Sequence, residues 1–187
     1  MRSGRSGRVT IGLYNSYDPV KFHEAHRRAL ARAGPLALAF DFNLATFGFP
    51  YGKELRTPVE VARWTADSTS IGEDGKYLIE LAEKGRFSSF DFPGKGLPPQ
   101  LGEAIATTCH PADGKVTNVD ELAGIVLSGS SLCLLFGLGH RGMPKDALAI
   151  CKKHLDITGG GYSLETCTAL GAVVGALGHA IRSQRKK

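Results

Sequence analysis

Apolar residues alternate loosely through Arg8–Tyr14, which predicts a first strand. Asp18-Pro19 then supplies an N-cap and a proline suited to the first helical position. Phe22, Ala25, Ala29 and Ala33 recur at helical spacing, so a helix is predicted over Pro19–Ala33. Gly34-Pro35 is expected to stop it. Pro35–Phe40 reads as a second short strand, parallel to the first through a right-handed crossover. The stretch 41–99 follows no simple period. Its phenylalanines, Phe42, Phe47, Phe49, Phe87, Phe90 and Phe92, stand among glycines and prolines, and helices are predicted over Thr57–Asp67 and Lys76–Lys84. Leu101–Thr108 reads as a strand and Asn118–Val126 as a helix with two acids in its first turn.

The last third carries the clearest pattern. SLCLLFG reads as an apolar strand, LGHRGMP as a glycine loop, KDALAICKKH as a short helix and LDIT as another strand. GGGY is a second glycine loop, and SLETCTALGAVVGALGHAI a long apolar helix. Alternation of strands and helices predicts an α/β fold with a mainly parallel sheet flanked by helices. One domain is expected over residues 8–181, with an insertion at about 41–99, between a basic arm (1–7) and a basic tail (182–187).

Composition narrows the class. The 187 residues are 42% hydrophobic and 22% charged, enough for one full core and typical of a soluble protein. No apolar run is long enough for a membrane span, and no apolar segment follows MRSGRSGR, so neither membrane insertion nor secretion is expected. Cys109, Cys133, Cys151 and Cys167 form no C-x-x-C pair, which favours a reduced, cytoplasmic setting over a cysteine-built zinc site. The formal charge of +5 belongs to the ends. Without Arg2, Arg5, Arg8, Arg182, Arg185, Lys186 and Lys187, 16 basic residues face 18 acidic ones. Solvated termini are the plain reading, although loose basic arms can also hold RNA through its phosphates.

Two glycine loops at neighbouring strand ends, each opening a helix, suit a small planar ligand. Gly137, Gly139, Gly142 and Gly159–Gly161 would let main-chain groups close on such a ligand, where turn chemistry alone is the alternative. His140 and Arg141, on the first loop, could meet a substrate phosphate. Asp41 and Asn43, at a strand end, could floor an acceptor site or simply make a turn. Glu165 reads first as part of a helix start behind an N-capping Ser163, and second as a proton acceptor. HEAH (His23, Glu24, His26) is one residue short of a zinc-binding helix and reads as a structural or solvated pair, while Lys21, Arg27 and Arg32 read as a solvated basic face.

Four segments, in order, resemble the motifs of the SPOUT superfamily in its TrmH-like branch: YNSYDPVKFHEAHRRALARAG, AIATTC, LLFGLGHRGM and LDITGGGYSLETCTA. From first to last they span about four-fifths of the chain. Over nearly its whole length, DFNLATFGFP included, the sequence also resembles an archaeal family of unknown function within that superfamily. The resemblance implies a C-terminal trefoil knot, a homodimer, no metal, and an S-adenosylmethionine-dependent methyltransferase acting on RNA (tRNA or rRNA). Arg28 matches the acceptor-binding arginine. Thr107, Leu135, Gly137, Gly139, Gly142, Ile157, Gly159, Gly160, Ser163 and Leu164 fall where the cofactor is held. Phe22 stands where the family has Asn, Gly139 where it has Glu, and Glu165 where it has Asn or Ser. The cofactor pocket is therefore carried further than 2'-O-ribose chemistry. The competing expectations are a fold-sharing RNA- or nucleotide-binding module without methyl transfer, and a methyltransferase for a protein or small molecule.

Overall fold

The computed structural model describes residues 6–67 and 72–186, so Arg2, Arg5 and Lys187 lie outside the described residues. Seven strands make one sheet in the order β3-β2-β1-β6-β4-β7-β5. These are β1 (Val9–Tyr14), β2 (Asn43–Phe47), β3 (Phe87–Phe90), β4 (Glu103–Thr107), β5 (Val116–Thr117), β6 (Leu132–Gly137) and β7 (Lys153–Leu155). Every pairing is parallel. The helices are α1 (Glu24–Phe40), α2 (Pro58–Ala66), α3 (Gly75–Glu83), α4 (Val119–Leu127), α5 (Lys145–Ile150) and α6 (Thr166–Arg185). This is the α/β architecture expected.

Parallel strands need both faces covered, and alternate residues serve each face. Ile11, Leu13, Leu44, Phe87, Ile105, Leu134 and Phe136 face a large core shared with α1, α2, α3, α4 and α6. Ala45, Phe47, Ala104, Ala106, Cys133 and Leu135 face a smaller core closed by α5 and by Leu97 and Leu101. Gly12 sits mid-strand because a Cβ there would stand 2.7 Å from Leu135 Cδ2 and 2.8 Å from Cys133 Sγ. Burial pushes the Cys133 thiol up, and the Cys151 thiol up to about 12, so both serve as packing rather than as nucleophiles.

The first helix departs most from expectation. Asp18 does cap a turn, accepting from the Val20 and Lys21 amides (2.8 and 3.0 Å), but the helix begins only at Glu24, with His23 as N-cap. It then runs through Gly34-Pro35, so residues 35–40 are helical and the second strand starts at Asn43. Gly34 is a packing position, not a stop: a Cβ there would meet the Leu78 backbone of α3 at 3.3 Å. An internal proline costs about 3 kcal/mol in a free helix. Contacts with α3 and α6 along α1 offset that cost. The helix stops at Asp41, a left-handed residue (φ 59°), with the Phe42 amide returning to Ala37 O at 2.8 Å.

The other boundaries shift less. α2 starts as its sequence implies, with Thr57 and Glu60 forming a capping box. Asn118 caps α4. α5 ends at Ile150, so β7 takes Lys153 and His154, which read as helix in the sequence. β3 lies in the FSSF segment, which has no clear period of its own, and packs beside β2. The Phe47 and Phe87 rings are core, and Phe90 stacks on Phe47. Arg182 and Arg185 form the last turn of α6, and the Arg182 guanidinium donates to Ala39 O at 2.7 Å over the Phe40 ring.

Candidate functional site

The carboxyl ends of β6, β4 and β7 are neighbours in the sheet, and the loops leaving them enclose a cavity of about 580 Å³. Ligands of open parallel sheets collect at that edge. Phe136, Leu138, Leu155, Ile157 and Val173 give it an apolar lining, and Thr107, Thr108, His110, Ser163, Glu165 and Thr166 a polar one.

The first wall is the loop Gly137–Met143. Gly137 and Gly142 touch: a Cβ on Gly137 would lie 2.7 Å from Gly142 C and 2.8 Å from its O. Gly142 has φ 68° and open space beside its Cα. Ser16 Oγ accepts from the Gly139 amide at 3.0 Å, and Thr166 Oγ1 donates to Gly137 O at 3.0 Å. The loop is thereby pinned both to the segment after β1 and to the start of α6.

The second wall runs from Asp156 to Thr166. Asp156 Oδ1 accepts from the Thr158 amide (2.9 Å) and hydroxyl (2.6 Å), and Oδ2 from the Gly161 amide (2.8 Å). Burial opposes ionisation of Asp156, yet these bonds and that of the Gly159 amide outweigh it and hold its carboxyl below the ordinary range. The third wall is Thr107–His110. Thr107 Oγ1 donates to Leu135 O at 2.8 Å, which ties β4 to β6 at the cavity rim.

Most of the expected cofactor residues meet here. Thr107, Gly137, Gly139, Gly142, Ile157, Ser163 and Leu164 line the cavity, as do His140 and Arg141. Three do not. Leu135 is fully buried in the smaller core, because its strand position points away from the cavity, and only its carbonyl takes part. Gly159 and Gly160 lie outside the lining, in a turn organised by Asp156 and Thr158. Gly160 instead seats the Tyr162 ring, which a Cβ would approach to 3.0 Å.

The polar candidates divide similarly. Glu165, not Ser163, caps α6, accepting from the Cys167 and Thr168 amides at 2.9 and 3.2 Å, and it also lines the cavity. Asp41 and Asn43 are at the opposite edge of the sheet, because β2 starts there. Asp41 pairs with Arg86 at 3.2 Å, and Arg86 also donates to Ala37 O and Phe42 O at the end of α1. Arg28 is well exposed on α1, 3.6 Å from Glu24, and does not line the cavity. It is near the start of α6: burial and Glu165 raise the Cys167 thiol, while Arg32 and Arg28 pull it down.

Arg27 corrects the expectation of a solvated face, its guanidinium lying 5.4 Å from the Phe22 ring centre and 5.2 Å from that of Trp64. The HEAH pair is structural. His26 is buried, its Nδ1 accepting from the His23 amide (3.0 Å), so Nε2 carries the proton toward Asn15 Oδ1 (3.0 Å). Burial and the nearby His23 hold His26 down at about 4. His23 Nε2 meets Asp18 Oδ2 at 2.7 Å. That bond and those from Val20 and Lys21 bring Asp18 down to about 2.

Sequence reasoning missed Cys109, His110 and Tyr162 at the cavity, the Ser16 bond that pins its glycine loop, and the Asp156–Thr158 staple. Only the staple had a readable signal, the Asp-x-Thr-Gly of an Asx turn. Among the described residues, no helix is long and apolar enough to cross a membrane.

Comparison with known proteins agrees with this geometry. Residues 9–178 match the family described as "Protein of unknown function (DUF531)". The chain is 43% identical over 167 residues to "Uncharacterized protein MJ0224" of Methanocaldococcus jannaschii, covering 89% of this chain and 90% of that one. Its fold superposes on the TrmH/SpoU tRNA modifying enzyme of A. aeolicus (TM-score 0.56, 14% identity, 98% of this chain and 80% of that one). It also superposes on the SpoU methyltransferase AviRb of Streptomyces viridochromogenes, solved with the cofactor AdoMet (TM-score 0.53, 14% identity, 97% and 59%). The chain belongs to the DUF531 family, and its fold is that of the SPOUT methyltransferases.

Proposed function

We propose that the protein is an S-adenosylmethionine-dependent methyltransferase acting on RNA. The observation that carries this reading is the three-walled cavity, one wall of which depends on the backbone approach of Gly137 and Gly142. Its residues fit the cofactor. The apolar floor of Phe136, Leu138, Leu155 and Ile157 suits adenine, while Thr107, Ser163 and the Gly137–Gly142 backbone supply polar groups for ribose and carboxylate. Two superposable folds belong to proteins named as a tRNA modifying enzyme and as a methyltransferase with AdoMet bound.

The cofactor would bring an already activated methyl group, leaving alignment and one proton to the protein. Glu165 faces the cavity, but its Oε2 accepts from two helix amides, which favours the cap over the base. His140 and Arg141 line the mouth, where they would hold an acceptor phosphate. Arg28 does not reach the cavity within one chain. A role at the acceptor therefore requires the homodimer, with the Arg28-bearing face of one copy set against the cavity of the other. Threading of the C-terminal segment into a knot and a cytoplasmic location belong to the same proposal.

Two observations favour a second reading, a binding module that retains the ligand without transfer: Glu165 acts as a helix cap, and Arg28 lies outside the cavity lining. Incubation with S-adenosylmethionine labelled in its methyl group and bulk RNA separates the two. Label in RNA supports the enzyme. Thermal stabilisation by the cofactor without label in RNA supports the module, and neither signal ends both readings.

A further inference from the structure

Among the described residues, six large apolar side chains are exposed: Tyr17, Val20, Phe92, Val116, Tyr162 and Leu164. Five of them sit on loops that leave carboxyl strand ends, β1 for Tyr17 and Val20, β3 for Phe92, and β7 for Tyr162 and Leu164. Only Val116 lies elsewhere, at the start of β5. Burial thus fails at one edge of the sheet, the edge that holds the cavity.

Tyr162 stands out within this group. It is 74% exposed, yet it lines the cavity. Its backbone is fixed, because its amide donates to Thr158 Oγ1 at 3.2 Å and Thr158 is held by Asp156. Gly160 leaves room for the ring, where a Cβ would come within 3.0 Å of Cε2. The loop thus fixes an aromatic ring at the mouth while most of that ring stays uncovered. His140 and Arg141 line the same mouth from the glycine loop, and His110 from the loop after β4. Asp156 and Glu165 also line the cavity and stay charged, Asp156 accepting from the Thr158 and Gly161 amides and Glu165 Oε2 from the Cys167 and Thr168 amides. A free π-face beside basic side chains matches an unpaired base and its phosphate.

We propose that Tyr162 is the platform on which an unpaired base of a single-stranded RNA stacks beside the cavity, with Arg141 and His140 at its phosphate. The single strand would continue along the edge toward Tyr17. The ends of β1 and β7 are three strand spacings apart, about 14 Å, which is the length of about four stacked nucleotides. Inside a duplex both faces of a base are covered by its stacked neighbours, so duplex is a poor ligand. This inference names the substrate form and rests on the RNA methyltransferase reading for its biological sense, but its test does not pass through catalysis.

The experiment uses the whole chain and a fluorescein-labelled oligoadenylate of twelve nucleotides, with binding followed by anisotropy at fixed salt. The same oligomer annealed to its complement is the duplex control. Tyr162→Ala should weaken single-strand binding at least fivefold, and Tyr162→Phe should stay within twofold of the parent, since stacking needs the ring and not the hydroxyl. The duplex should bind more weakly than the single strand to the parent and be indifferent to Tyr162→Ala. Equal binding by Tyr162→Ala and the parent, equal affinity for duplex and single strand, or no binding of the oligomer overturns the proposal. Thermal shift of the parent with S-adenosylmethionine is read separately. A missing cofactor shift beside a lost single-strand complex in Tyr162→Ala leaves the platform standing and removes the methyltransferase.

Discussion

The contact between Gly137 and Gly142 gives the sharpest test of how the cavity is built. In Gly137→Ala the new Cβ would stand 2.7 Å from Gly142 C, 2.8 Å from its O and 3.0 Å from Met143 N. All three are backbone atoms, so no rotamer change relieves the overlap. The loop must move, and the bonds pinning it, Thr166 Oγ1 to Gly137 O and Gly139 N to Ser16 Oγ, must stretch with it. Overpacking of this kind costs about 1–3 kcal/mol, which for a chain of this size lowers Tm by roughly 2–12 °C. Gly124→Ala is the matched control, because Gly124 lies in the exposed middle of α4 with nothing within 4 Å of an added Cβ. Removing a helical glycine there should stabilise by about 0.5–1 kcal/mol. Thermal melts of both variants, with and without S-adenosylmethionine, read the difference. Gly137→Ala should melt lower and lose the cofactor shift, and Gly124→Ala should melt higher and keep it. A Gly137→Ala protein melting within a degree of the parent would show that the two glycines are not in contact.

Other outcomes follow from the same geometry. Glu165→Ala removes the cap of α6 and should cost about 1 kcal/mol in urea unfolding. In Glu165→Gln, methyl transfer lost at unchanged cofactor affinity would establish catalysis, and unchanged transfer would leave the cap alone. Arg28→Ala should change stability by less than about 1 kcal/mol, because the one ion pair it makes among the described residues, with Glu24, is exposed on the Arg28 side. Any loss of transfer in Arg28→Ala then reports function. His26 is neutral in the fold with a value near 4, against 6.5 for the free side chain. The unfolded chain therefore binds an extra proton between these values, and stability is full above pH 6.5 and lost as pH falls toward 4. The full loss should be about 3 kcal/mol in urea titrations, and His26→Gln should flatten it. Asp18, held near 2, adds a further loss below its unfolded value of about 4, again as pH falls.

Local chemistry carried the sequence reading where an element has its own punctuation. Thr57-Pro58 with Glu60, and Asn118 with Glu121, announce α2 and α4 because their capping bonds are made within four residues. β1, β4 and β6 are apolar runs long enough to show their period. The reading failed where tertiary contact outweighs local preference. Gly34-Pro35 looks like a stop, but Gly34 is needed against Leu78, and helix packing carries the proline. Asp41 ends α1 in a conformation usually left to glycine, which hid both that boundary and the start of β2. At the cavity, glycine spacing disclosed Gly137, Gly139 and Gly142, since backbone approach needs that residue type. His110 belongs to another loop and meets the cavity only through strand order, as Ser16 meets the glycine loop. Leu135 misled for a simpler reason: strand residues alternate faces, and its carbonyl, not its side chain, is at the rim.

Titration calorimetry with S-adenosylhomocysteine, repeated on Gly137→Ala, tests the account most directly. Saturable binding at one site per chain, abolished or weakened at least tenfold by Gly137→Ala, is the predicted result. Absence of heat and of any thermal shift at millimolar ligand, with the protein folded, would contradict it.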